Sequence, residues 1–255
     1  MMRKFYLAFI WVITIGCIVY GCMNYLGRIP VFQGSQKKAA QVLSGDLKTI
    51  EMNGDAFDVT IKKGIENKVS YYDHKGLHIN FQDGKLVVKG HVKKRFLLSH
   101  TLALTITVKD DLDRILLDSK AGDIDINDVH VKTINMISKA GDIDLNNCQA
   151  DDLTINTKAG DIDIDNNHIQ NINVKSSAGD FDCDNTVFSS LKCELLAGDC
   201  TVNGAEDLSG YTYHLETKFG DVDVNGKSYQ NKYISQGSSQ SIDMKLKAGD
   251  IEINY

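Results

Sequence analysis

From residue 48 onward the chain alternates apolar and polar residues with a period of two, the pattern of half-buried strands. LKTIEMNG, AFDVTIKKG, NKVSYYDHKG, LHINFQDGKL and LALTITVKD each carry it, and Asn-Gly, Lys-Gly and Asp-Gly pairs punctuate them as turn signals. No convincing amphipathic helix follows the first 28 residues, so the pattern predicts an all-β body.

Beyond residue 115 the alternation becomes a repeat. SKAGDIDIND, SKAGDIDLNN and TKAGDIDIDN recur, and the small residue of the triplet falls at Ala121, Ala140, Ala159, Ala178 and Ala197, then at Phe219 and Ala248. The first four intervals are 19 residues; the next two are 22 and 29, which predicts that GYTYH and KSYQNKYISQGSSQ are loop insertions between units. With the small residue as position zero, positions −6 and −4 are apolar in every copy, as in Ile134/Met136 and Leu153/Ile155. Positions +3 and +5 are apolar as well, as in Ile143/Leu145 and Ile162/Ile164.

Parity therefore flips from even to odd across Ala-Gly-Asp. One regular strand cannot do this without turning half of its apolar set to the wrong face. The triplet must be a corner, where glycine takes a backbone conformation closed to other residues and a small alanine would leave room inside the bend. The Asn-Asp and Asn-Asn pairs at +6 and +7 predict a second bend, and an inward residue recurs near +10 (Val131, Ala150, Ile169, Phe188). One coil cannot bury its own apolar face. Stacking successive coils about 4.8 Å apart builds a continuous core, which predicts a β-solenoid, a β-helix-like array of roughly 19-residue coils.

The repeat also stacks its acids. Aspartate holds +2 in all seven copies and +4 in Asp125, Asp144, Asp163, Asp182 and Asp223, with Glu252 in the last. Like charges about 4.8 Å apart repel by about 3.5 kcal/mol at an effective dielectric of 20, so something must offset the ladders. For the +2 row the expected offset is a backbone N–H at the corner together with the lysine at −1. The five +4 carboxylates alternate with inward residues and have fewer evident partners, which makes them the candidate ligands of a bridging calcium ion. The GGxGxDxUx nonapeptide of calcium-binding β-rolls is absent.

The sequence TLALTITVKDDLDRILLDSKAGDIDIND, followed by SSAGDFDCDN, TKFGDVDVNG and LKAGDIEINY, resembles the bacterial "putative adhesin" β-strand-repeat family over residues 48 to 255. The resemblance implies a bacterial envelope protein, in some members linked to envelope stress, and supplies no catalytic residues. One departure is Lys109, where relatives commonly carry proline after the ITV strand. Pro30 is the chain's one proline and no LPxTG-type sorting signal is present, so attachment must rest on the N-terminus.

That N-terminus is an uncharged, mainly apolar run from Phe5 to Leu26, 22 residues, about 33 Å as a helix and long enough to span a bilayer. Arg3 and Lys4 before it favour a cytoplasmic tip and an external body. A lipid anchor on Cys22 and a cleaved signal peptide are the alternatives, and all three export the remainder. The expected organisation is a cytoplasmic tip and transmembrane anchor over 1–28, a linker over 29–47, an N-terminal β region over 48–114 and the repeat array over 115–255. Charge divides similarly: Gly27 to Arg114 carries 15 basic against 10 acidic residues, and Ile115 to Tyr255 carries 11 against 24.

Candidate chemistry adds little. Cys148, Cys183, Cys193 and Cys200 contain no CxxC spacing and read as small buried hydrophobes. No HExxH, GxSxG or phosphate-binding glycine loop occurs, and glycoside hydrolysis would need one asymmetric carboxylate pair in a cleft. HVKKRFLLSH, residues 91–100, is the one basic cluster with adjoining apolar residues; it reads as a hairpin loop or as a contact to anionic lipid or wall polymer. Export and the acidic array argue against nucleic acid. The expectation is a non-enzymatic, single-pass membrane protein with its C-terminal β domain outside the cell, an adhesin-like binding or sensing module for wall polymer or an envelope protein. A structural scaffold of envelope stress is the alternative, with an extracellular polysaccharide-active enzyme third.

Overall fold

The computed structural model describes residues 38–72, 76–91 and 102–255, which belong to one compact unit. The transmembrane helix expected over Phe5–Leu26 and residues 92–100 of the basic cluster lie outside the described residues. Among the described residues no helix is long and apolar enough to cross a membrane.

Two sheets of 12 and 11 strands face one another across a single apolar core. Their parallel strands form nine rungs among the described residues, each rung giving one strand to each sheet. In order through the stack, rung one is Lys85–Gly90 with Leu102–Val108, and rung two is Thr49–Gly54 with Phe57–Lys63. Rung three is Leu112–Ser119 with Ile124–Asn127, rung four His130–Ser138 with Ile143–Asn146, and rung five Gln149–Asn156 with Ile162–Asp165. Rung six is His168–Ser176 with Phe181–Thr186, and rung seven is Ser190–Leu195 with Cys200–Gly204. Rung eight is Ser241–Ala248 with Ile251–Asn254, and rung nine is Thr212–Phe219 with Val222–Val224.

The expectation of successive stacking thus holds through rungs three to seven and fails at both ends. The chain enters at rung two, steps out to rung one and returns to rung three. At the far end it steps from rung seven out to rung nine, and its last residues fill rung eight between them. The C-terminal segment of the unit is thereby clamped on two sides, where a last rung on a simple stack would have one neighbour and would fray. Antiparallel strands then cover the outer rungs: Leu77–Gln82 on rung one in one sheet, Lys68–Tyr72 and Lys38–Val42 in the other. Lys227–Ser228 and Lys232–Ser235 do the same for rung nine. Open parallel edges would template aggregation, and these caps remove them.

Three sequence expectations change here. Residues 38–47 of the expected 29–47 linker belong to the β unit, because Lys38–Val42 pairs with Lys68–Tyr72 and Leu43 and Leu47 are buried; residues 29–37 lie outside the described residues. GYTYH is no loop: Tyr211 and Tyr213 are buried, their hydroxyls donating to the Phe188 and Leu208 carbonyls. The second insertion, KSYQNKYISQGSSQ, supplies the cap of rung nine. No break in the stack falls at residue 114, since the strand Leu112–Ser119 pairs with rungs two and four alike.

The corner is built from glycine, while alanine has no share in its interior. Gly122, Gly141, Gly160, Gly179, Gly198, Gly249 and Gly220 all have φ between +105° and +153°. A Cβ on Gly160 would lie 2.1 Å from the Gly141 carbonyl oxygen in the neighbouring rung, and equivalent contacts recur along the row. Position zero points outward, since Phe219 there is 72% exposed. Inside the corner, hydroxyls at −2 close the turn: Ser119, Ser138, Thr157 and Ser176 donate to the carbonyls of Ala121, Ala140, Ala159 and Ala178. The second bend sits at +7, where Asp128, Asn147, Asn166 and Asn185 adopt left-handed φ, which Asn and Asp tolerate.

Below that bend lies a buried column that apolar periodicity does not reveal. At +8, Cys148 Sγ, Asn167 Nδ2 and Thr186 Oγ1 donate to the carbonyls of Ile126, Leu145 and Ile164 one rung back. Asn167 also accepts the Cys148 backbone N–H through Oδ1 at 2.7 Å, so the column is internally satisfied.

Candidate functional site

The +2 aspartates form a continuous staircase. Asp123, Asp142, Asp161, Asp180 and Asp199 each accept, through Oδ1, the backbone N–H of the aspartate one rung further on, at 2.8 to 3.0 Å. Asp250 passes the bond from rung eight to Asp221 in rung nine, and Asp58 begins the row by accepting from Asp123. The expected backbone partner is therefore present, but it belongs to the next rung. Hydrogen bonds to charged groups are worth about 1.5–3 kcal/mol each, enough to offset repulsion that solvent has already screened. Lysine at −1 is not the offset; Lys120 instead pairs with Asp55 at 2.6 Å.

The +4 row reads, through rungs two to nine, Thr60, Asp125, Asp144, Asp163, Asp182, Thr201, Glu252 and Asp223. Four of the five candidate calcium ligands are therefore adjacent, while Asp223 stands beyond Thr201 and Glu252. The four carboxylates run along a sheet face, one per rung. Among the described residues no group of three or more His, Cys, Asp or Glu is placed to hold a metal ion.

The row is an electrostatic load. Burial, then the flanking Asp125 and Asp163 carboxylates, push Asp144 up to about 6. Burial is also the main cause of the upward shifts at Asp163, Asp165 and Asp182. A folded-state value for Asp144 above its ordinary 3.8 means that folding favours the protonated form. Its stabilising contribution is complete below about pH 4 and is lost as pH rises through 6. Asp144→Asn, which stays neutral, should raise stability above pH 6 by about 1 kcal/mol after allowance for solvent screening. At pH 4 it should change little. Melting curves of both proteins from pH 4 to 8 test this, and a gain equal at the two ends would refute it.

A second surface arises only from the order of the rungs. Because rung eight is inserted, the −1 residues Leu196, Lys247 and Lys218 become neighbours, and so do the −3 residues Lys175, Glu194, Lys245 and Glu216. All of these but Glu216 line a groove of about 510 Å³. Lys175 and Lys192 neutralise Glu194 at 3.0 Å each, and Lys245 faces Asp243. Lys218 and Lys247 have no carboxylate within ion-pairing distance among the described residues. Leu196 is 56% exposed beside them, and Phe219 is exposed at the same corner. Sequence reasoning missed this set, since Lys218 and Lys247 are 29 residues apart and belong to copies that the periodicity orders the other way.

Residues 47–254 match the family described as Toastrack DUF4097. The chain belongs to this Toastrack family. The parallel two-sheet stack and its glycine corners are thus the Toastrack fold as this chain builds it. No curated protein matches the chain in sequence. Among solved structures it is similar to a "putative adhesin" from Bacteroides fragilis, at 15% identity over 86% of this chain and 98% of that one, with a TM-score of 0.49. A "putative cell adhesion protein" from Clostridium sporogenes is 17% identical over 86% and 99% of the two chains, with a TM-score of 0.35. A "putative lipid binding protein" from Parabacteroides distasonis is 14% identical over 87% and 97%, with a TM-score of 0.38.

Proposed function

We propose that this Toastrack protein is a non-enzymatic, adhesin-like binding module of a bacterial envelope, held at the membrane by its N-terminal apolar run and exposing the β unit outside the cell. The corner of rungs seven to nine is the contact surface. The observation that carries this reading is the pair of unneutralised lysines, Lys218 and Lys247, set beside exposed Leu196 and Phe219 at one corner of the stack. Cations without intramolecular partners next to apolar surface suit an anionic polymer with an apolar backbone face, such as a phosphate-bearing wall polymer. The acid ladders do not supply an active site, because their carboxylates repeat from rung to rung along open faces and offer no single acid and base in a cleft.

The test is co-sedimentation of the full chain, in detergent, with isolated wall polymer at increasing salt. Binding should weaken with salt. Lys218→Glu with Lys247→Glu should lower affinity about tenfold or more while leaving the melting temperature within a few degrees, since both side chains are exposed. Unchanged affinity in the double variant would remove this corner from the function.

A further inference from the structure

We infer that Cys193 and Cys200 are the site of a reversible intrachain disulfide that staples the corner of rung seven. In each repeat rung, positions −4 and +3 face the core from opposite sheets across the corner, as Leu117/Ile124, Met136/Ile143 and Ile155/Ile162 do. Rung seven alone among these has a thiol at both. The two Sγ atoms lie 3.2 Å apart, in contact and fully buried. Closing the bond needs an approach of about 1.2 Å from that contact distance. Cys148 and Cys183 differ: Cys148 Sγ is engaged by the Ile126 and Asn146 carbonyls, and each occupies a separate position of its own coil.

The oxidant is a low-molecular-weight disulfide. One thiolate attacks it, forming a mixed disulfide and expelling one small thiolate; the second cysteine sulfur then attacks the mixed disulfide and expels the other. Two thiol hydrogens leave the protein and one external disulfide is reduced to two thiols. Access sets the order of events. In the folded stack both sulfurs are sealed, with rung eight, Ser241–Ala248 and Ile251–Asn254, covering the outer edge of rung seven. That cover follows both cysteines and rung nine in the sequence. The bond therefore forms readily before rung eight docks and slowly afterwards, when its rate follows the opening of the C-terminal segment.

The experiment uses the full chain in detergent, refolded from denaturant in a mixture of reduced and oxidised glutathione, then alkylated and digested with trypsin. Cleavage after Lys192 and Lys218 puts both cysteines in one peptide. The expected peptide is two hydrogens lighter than its reduced form and carries no alkyl group, and the oxidised protein melts about 5 °C above the reduced one. Never-unfolded protein in the same buffer should form the bond at least tenfold more slowly. If refolding fails, prolonged incubation of this folded sample decides instead. Two alkylated thiols in that peptide, from protein with a native melting transition, overturn the inference. Glutathione chemistry in solution does not depend on envelope location or polymer binding, so this result and that of the co-sedimentation test fall separately.

Discussion

Gly160→Ala should be among the most damaging single substitutions in this protein, lowering stability by about 4 kcal/mol and the melting temperature by about 10 °C. Two effects add. At φ +120° an L-residue is strained whatever the space around it, and the new methyl carbon would sit 2.1 Å from the carbonyl oxygen of Gly141, a backbone atom with no flexible end to move aside. Relief would require neighbouring rungs to separate, which breaks the Asp161 N–H to Asp142 bond at 2.9 Å and the apolar contacts behind it. Gly210→Ala is the control, because a Cβ there meets nothing within 4 Å; it should cost no more than about 1 kcal/mol. Comparable melting temperatures for the two variants would show that the corner does not set the rung spacing.

That corner was legible in the sequence because a change of apolar parity is a geometric statement: residues Met136 and Ile143 can both face inward only if the chain turns between them. The second bend was legible from its residue types, the Asn-Asp and Asn-Asn pairs at +6 and +7, and left-handed φ at Asn147 and Asn166 gives its physical basis. The purpose of the alanine was misread, since a small residue beside glycine looks like a packing choice until exposed Phe219 shows the position to be external. The +2 aspartates were read correctly as backbone acceptors. Which backbone they bond could not be read from one copy, because the donor lies in the adjacent rung.

The order of the rungs was illegible for a deeper reason. Every rung presents the same inward residues to both neighbours, so Leu191 can sit against Ile242 or Tyr213 with the same apolar logic. Sequence pattern fixes the register within a rung and leaves the succession of rungs nearly degenerate. What breaks the degeneracy is connection length and capping. The 22- and 29-residue intervals leave enough chain to step outward, build the Lys227–Ser228 and Lys232–Ser235 cap, and come back. The lysine corner inherits that illegibility, because it exists only where rung eight brings Lys247 between Leu196 and Lys218.

Removal of residues 237–255 should therefore do far more harm than loss of a terminal repeat ordinarily does. On a simple stack, deleting the last coil would remove one interface and uncover the next coil, and stability would fall by one nearest-neighbour increment. Here the deleted segment is rung eight, whose Ile242, Met244, Ile251 and Ile253 are buried against rungs seven and nine alike. Burying such a side chain contributes about 1.5–3 kcal/mol, and the truncated chain loses these four together with the packing of two facing surfaces. Rung nine is then left with no neighbour except its own antiparallel cap, so Thr212–Phe219 should lose hydrogen-exchange protection along with the deleted rung. Rungs three to six should keep theirs. Survival of protection over Thr212–Phe219 in the truncated protein would mean that rung nine can close directly onto rung seven, and that the inserted rung fills a gap the fold does not need.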